Sequence, residues 1–131
     1  MVQQGEAKYV NEWLQQFHPN SLQWKRTRLG SLPNKELNRM YLSTLRWADV
    51  IFLENDIVHI VEAKLNNPIK AVSQLEVYEK KFPETSEFSE WKDKQIKLIL
   101  LCPFIESDVV ELCKDKGIEY IVYTPVWFQP R

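Results

Sequence analysis

The 131 residues are enough for one domain, so we expect a single domain over residues 1–131 with one hydrophobic core. Sixteen aromatic residues (five Trp, five Tyr, six Phe) exclude a disordered chain, and two Cys exclude a disulfide framework or a cysteine-based zinc site. The net charge of −1 excludes a strongly basic protein. Without a signal peptide or a long apolar run, the chain is predicted to be soluble, intracellular or cytoplasmic, and outside the membrane.

The first part of the chain is predicted to form a helix, a strand and a loop. Apolar residues at helical spacing indicate a helix over residues 5–17, and Pro19 ends it. Residues 22–29 are typical of a strand, residues 30–38 of a loop, and residues 35–44 fit either a short helix or the next strand. Between residues 24 and 46, six basic residues accompany one acid. This charge suits contact with phosphates, and it equally suits a solvated loop.

The middle of the chain is predicted to form a hairpin followed by a helix. Two apolar, β-branched runs, 46–53 and 57–65, are joined by Glu54, Asn55 and Asp56, which have hairpin chemistry. Asn67 and Pro68 are typical of the N-cap and first residue of a helix, which is predicted to continue to about residue 82.

The last part of the chain repeats a strand–helix–strand pattern. Residues 96–101 are almost wholly apolar, which predicts a strand covered on both faces, and the polar stretch 83–94 before it is predicted to be a mobile insert. Ser107 is expected to cap a helix that Gly117 ends, before a strand over residues 118–123. The order α-β-β-β-α-β-α-β predicts an α/β fold with a mixed central sheet and helices on both faces.

A cluster of charged residues is predicted on the hairpin. Glu62 and Lys64 lie two residues apart on one strand, so they face the same way. A two-residue loop at 55 and 56 would pair Asp49 with Glu62, whereas a three-residue loop would turn Asp49 to the other face. Neighbouring carboxylates repel each other unless a cation neutralises them, so Asp49, Glu62 and the backbone carbonyl of Ala63 are candidate ligands for Mg²⁺ or Mn²⁺. The alternative is a solvated strand end.

The stretches 46–52 (RWADVIF) and 60–65 (IVEAKL), with Gln74 on the next helix, resemble the PD-(D/E)xK nuclease superfamily, which has the restriction endonuclease-like fold. The αβββαβ core of that superfamily matches the order predicted for residues 5–101. The resemblance implies that Asp49 and Glu62 bind metal, that Lys64 orients and activates water, and that Gln74 is also catalytic. Ala48 occupies the position of the proline in the superfamily's motif, so the match to that motif is incomplete.

Further site residues are predicted with an alternative for each. Glu6 on the first helix is a candidate metal ligand, as in members of the superfamily, or an acid that complements the helix dipole. Gln74 either contacts a phosphate or the water on the metal, or packs near Tyr78 on the helix surface. Four cations are candidates for contact with the nucleic-acid backbone, or are simply solvated: Arg26, Arg28, Arg46 and Lys70.

The leading hypothesis is a Mg²⁺- or Mn²⁺-dependent endonuclease or exonuclease that hydrolyses phosphodiester bonds in DNA in preference to RNA. A homodimer is compatible with cutting two strands. The alternative is a catalytically silent module with the nuclease fold, which binds nucleic acid or docks through the aromatic residues 125–128 on a larger DNA-processing assembly.

Overall fold

The computed structural model describes residues 4–29 and 46–129. In this part of the chain the elements occur in the predicted order. The helices and strands are α1 (Gln4–Phe17), β1 (Leu22–Leu29), β2 (Arg46–Glu54), β3 (Ile57–Ala63), α2 (Ile69–Lys81), β4 (Ile96–Cys102), α3 (Ser107–Lys116) and β5 (Ile118–Val122). The predicted loop over 30–38 and the undecided segment 35–44 lie outside the described residues. None of these helices has the length and apolar character that crossing a bilayer requires.

The five strands form one mixed sheet in the order β1-β2-β3-β4-β5. The pairs β1–β2 and β2–β3 are antiparallel, while β3–β4 and β4–β5 are parallel. This arrangement follows from a hairpin succeeded by two strand–helix–strand steps, so the predicted α/β class is confirmed.

The sheet carries a separate hydrophobic core on each face. Helix α1 packs on one face, where Val50 and Val61 are buried, and helices α2 and α3 cover the other face, where Ile51 and Ile60 are buried. Strand β4 is buried from Leu98 onward because both faces of the sheet are covered there, as its apolar sequence predicted.

The hairpin between β2 and β3 has the predicted two-residue loop. Asn55 and Asp56 have φ angles of 56° and 64°, the left-handed conformation that a tight hairpin turn requires and that Asn and Asp tolerate. Glu54 consequently pairs with Ile57, and the register continues to Val50 opposite Val61.

Both later helices begin one residue away from the predicted position. Pro68 is the N-cap of α2, and Asn67 has a φ of 48°, so the backbone carbonyl of Asn67 rather than its side chain accepts the N–H of Lys70. Glu106, in extended conformation, is the N-cap of α3, and Ser107 is its first helical residue.

The segment after α2, predicted to be mobile, is held to the core. It forms two short 3-10 turns, Phe82–Glu84 and Ser86–Trp91. Phe88 is fully buried: its ring stacks on that of Phe82, with centroids 5.0 Å apart, and meets the ring of Trp24 edge to face at 5.2 Å. The segment was predicted to be mobile because most of its residues are polar, although its aromatic residues anchor it to the core.

Candidate active site

Asp49 has no ladder partner in either strand that neighbours β2. The ladder with β3 ends at Val50, one pair short of Asp49, and Arg26 in β1 is likewise not paired with Asp49. The carboxylate of Asp49 instead accepts a hydrogen bond from the backbone N–H of Ala63, with an N···O distance of 2.8 Å. The expected direct pairing with Glu62 is therefore replaced by a bridge to the next residue, which keeps the two acids together.

Glu62 is buried, with 4% of its surface exposed, and its two oxygens have different neighbours. Oε1 lies 3.2 Å from the hydroxyl of Tyr78 on α2, and Oε2 lies 3.5 Å from Nζ of Lys64. The same hydroxyl is 2.8 Å from the carbonyl oxygen of Trp47. Tyr78 thus connects α2 to both β2 and β3, and Lys64 stands beside Glu62 as the strand spacing predicted.

The surroundings raise the pKa of both acids. Burial raises the pKa of Glu62 to about 8, with a further contribution from the charge of Asp49, while Lys64 and Tyr78 oppose the rise. Burial also raises the pKa of Asp49 to about 6, against the hydrogen bond from Ala63, and the charge of Glu6 adds to the rise. A bound cation would relieve the cost of ionising both groups.

The N-terminus of α1 brings Glu6 to the same place. Oε2 of Glu6 accepts the backbone N–H of Leu65 at 3.4 Å. Helix α1 approaches closely here: a Cβ at Gly5 would lie 3.2 Å from Cδ1 of Leu65, which would have to shift by a few tenths of an ångström. Glu12, the second acid of α1, instead accepts the indole N–H of Trp127 at 2.8 Å. The role of Glu6 as a metal ligand stays a prediction.

Gln74 lies one turn before Tyr78 on α2, and its Oε1 is buried without a hydrogen-bond partner among the described residues. A buried acceptor without a donor is costly, so a donor from a bound ligand or water would stabilise this atom. Lys70, a further turn back, is exposed. Arg28 and Arg46 belong to β1 and β2, but their side chains lie outside what the structure describes.

Arg26 and Trp47 form an exposed pair beside Asp49. The guanidinium carbon of Arg26 lies 5.2 Å from the centre of the Trp47 ring, and 43% of Trp47 is exposed. Sequence reasoning selected Arg26 and missed Trp47. The available signal was its position two residues before Asp49 on the same strand, which predicts a shared face.

The donor atoms at this site fit a hard divalent cation. The carboxylates of Asp49 and Glu62 and the carbonyl of Ala63 offer oxygen ligands, the type that Mg²⁺ prefers together with water and phosphate. Over residues 4–29 and 46–129, no group of three His, Cys, Asp or Glu side chains able to hold a metal is present. The ion would therefore depend on two side chains, a backbone carbonyl and the substrate.

Solved structures of endonucleases share this fold. The whole chain is similar to EndoMS in complex with double-stranded DNA (TM-score 0.58, 18% identity) and to EndoMS in the apo form (TM-score 0.56, 19% identity). Over 95% of its length it is similar to a repair endonuclease from Pyrococcus abyssi (TM-score 0.58, 15% identity). The chain spans about half the length of these proteins: 48%, 49% and 48%, respectively. No family model matches the chain, and no curated protein matches it.

These likenesses show the fold. The chain has the restriction endonuclease-like fold, as the sequence resemblance predicted.

Proposed function

We propose that the chain is a Mg²⁺-dependent nuclease, with Mn²⁺ as a substitute, that hydrolyses phosphodiester bonds in DNA. The observation that carries the proposal is the pairing of the half-buried Asp49 with the buried Glu62, with the ammonium of Lys64 3.5 Å from Glu62. Support for DNA comes from EndoMS, a protein of similar fold that has been solved with double-stranded DNA.

Asp49, Glu62 and the carbonyl of Ala63 would hold the ion, with Glu6 assisting. When bound, the ion supplies a Lewis acid for a phosphate oxygen and lowers the pKa of water. Lys64 donates hydrogen bonds to the attacking water and stabilises the negative charge that grows on the phosphate as the bond to the leaving sugar oxygen breaks. The side-chain amide of Gln74 orients that phosphate.

The test is cleavage of single- and double-stranded DNA and of RNA in Mg²⁺ and in Mn²⁺. Lys64→Ala is expected to lower the rate by about 100-fold or more, because it removes a cation from the developing charge. Lys97→Ala is the matched control, since Lys97 is a half-exposed lysine paired with Glu119 on β5. Cleavage that is absent from the wild-type protein, or unchanged in Lys64→Ala, would contradict the proposal.

Over residues 4–29 and 46–129, Glu6 does not join Asp49 and Glu62 in a group of three side chains arranged to hold a metal, and this favours one alternative. In that alternative the chain keeps the nuclease fold and binds nucleic acid without cutting it. Calorimetry with Mn²⁺ separates the two: heat of binding that disappears in Asp49→Asn supports the nuclease, whereas DNA binding without metal binding supports the silent module. The expected homodimer stays a prediction, tested by the mass of the protein in solution.

A further inference from the structure

A groove of about 520 Å³ runs beside the candidate active site. Residues 24–27 of β1 and Trp47 of β2 line one side, and residues 85–87 of the segment after α2 line the other. A smaller cavity of about 70 Å³ contains Asp49 and shares Lys25 and Arg26 with the groove. A ligand in the groove would therefore reach Asp49 by passing these two cations.

The backbone of Arg26 directs its side chain to this boundary. Its φ of 50° is a left-handed conformation, which is unfavourable for a residue with a side chain. This irregularity interrupts the β1–β2 ladder opposite Asp49. An interrupted strand can turn one side chain away from its regular direction, and here the guanidinium lies over the Trp47 ring at the junction of groove and cavity.

The charges in the groove are divided between its two sides. Lys25 and Arg26 are both exposed on the side next to Asp49, whereas Glu87 is on the opposite side. A phosphate is attracted to the first side and repelled from the second. A nucleic-acid backbone held there would carry its phosphate next to Asp49 and its base next to Trp47.

The aromatic ring restricts which base can occupy that position. In a continuous double helix each base is covered on both faces by its neighbours, so a side chain can stack only on a base that has left the stack. We propose that this groove selects nucleic acid with an unpaired nucleotide, stacking its base on Trp47 while Lys25 and Arg26 bind its phosphate. The inference rests on the proposed nuclease function and specifies the substrate of the same site.

The experiment measures binding in the presence of a chelator, so that cleavage does not contribute. The probes are a fluorescent single strand, the same strand in a full duplex, and that duplex with a bulge of unpaired nucleotides. Stacking of one base contributes ~1–3 kcal/mol, so the wild-type protein is expected to bind the single strand and the bulge about 5- to 150-fold more tightly than the full duplex.

Variants assign the preference to residues. Trp47→Ala is expected to lose the preference and Trp47→Phe to keep most of it, because a phenyl ring still stacks on a base. Phe17→Ala is the matched control, since Phe17 is a 52% exposed aromatic on α1 that does not line the groove. Arg26→Ala is expected to weaken binding of all three probes and to reduce the number of counterions released, read from the slope of log binding constant against log salt concentration, by about one. Lys114→Ala is the control, because Lys114 is an exposed cation on α3.

The results separate this inference from the proposed function. Equal binding of all three probes, or a preference retained in Trp47→Ala, would overturn the inference even if the protein cuts DNA in Mg²⁺. If the protein prefers unpaired nucleotides through Trp47 but cleaves no nucleic acid, the proposed nuclease function is overturned and the ligand assigned to the groove is supported. Binding of none of the probes, with tight binding of an acidic peptide instead, would also overturn the inference.

Discussion

Replacing Glu62 with Gln removes a carboxyl group whose ionisation is opposed by burial and by the charge of Asp49. Folding raises the pKa of Glu62 from 4.5 to about 8, so between these values the folded protein holds a proton that the unfolded chain has released. The free energy of unfolding must therefore fall as the pH rises through this window, and it stays low above it. Below pH 4.5 Glu62 is protonated in both the folded and the unfolded protein, so it does not lower the free energy of unfolding there.

The size of the effect follows from the two pKa values. Each tenfold change in the acid constant corresponds to about 1.4 kcal/mol, so the rise to about 8 corresponds to roughly 5 kcal/mol for Glu62. Glutamine has nearly the same shape and does not ionise. Glu62→Gln is therefore expected to match the wild-type protein near pH 4 and to be several kcal/mol more stable near pH 9. The loss of the ion pair with Lys64 reduces this gain.

Urea unfolding across this pH range measures the difference. Glu119→Gln is the control, because Glu119 is a half-exposed acid paired with Lys97 at the far edge of the sheet, and it should parallel the wild-type protein. Mg²⁺ at about 100 times its dissociation constant should restore ~2.7 kcal/mol to the wild-type protein near pH 9 and little to Glu62→Gln. Wild-type stability that follows the same pH curve as Glu62→Gln would refute the reasoning.

Two other substitutions probe the surroundings of the site. Arg26→Gly should raise the free energy of unfolding by about 1 kcal/mol, by relieving the left-handed conformation, while weakening DNA binding. Asn55→Gly, at another left-handed position in the hairpin, is the control for the unfolding measurement and should leave DNA binding intact. A lower free energy of unfolding in Arg26→Gly would contradict the backbone strain assigned to Arg26. Tyr78→Phe should lower the free energy of unfolding by about 1 kcal/mol, because it removes a hydrogen bond. It should also raise the pKa of Glu62 further, because in the wild-type protein the hydrogen bond from the Tyr78 hydroxyl lowers that pKa. A pH titration of its unfolding in which the midpoint does not move would exclude this contact.

The fold was largely predictable because its signals are local. Asn55 and Asp56 tolerate the left-handed conformations of a two-residue turn, which fixed the register from Glu54 to Val50. The alternation of side chains along β3 then placed Glu62 and Lys64 side by side. Each of these inferences used residues that are close together in the sequence.

The details of the site depend on distant residues and were not predictable in this way. The missing pair at Asp49 coincides with the left-handed backbone conformation of Arg26 in β1, which no residue pattern near Asp49 indicates. Contact of Tyr78 with Glu62 depends on how α2 packs, and the Arg26–Trp47 pair depends on the pairing of β1 with β2. The resemblance to the superfamily, whose pattern often has a Tyr downstream of the Gln on this helix, implies Tyr78 as a candidate. It gives no role to Trp47, although Trp47 lies within the stretch RWADVIF.

A crystal soaked in Mn²⁺ tests the central claim most directly, because the anomalous signal of the ion locates it without an assay of activity. We expect one strong peak about 2.0–2.3 Å from a carboxylate oxygen of Asp49 and of Glu62, near the carbonyl of Ala63, and no peak in the same place in Asp49→Asn. A saturating soak without a peak between these two acids, or with the ion bound only elsewhere on the chain, would contradict it.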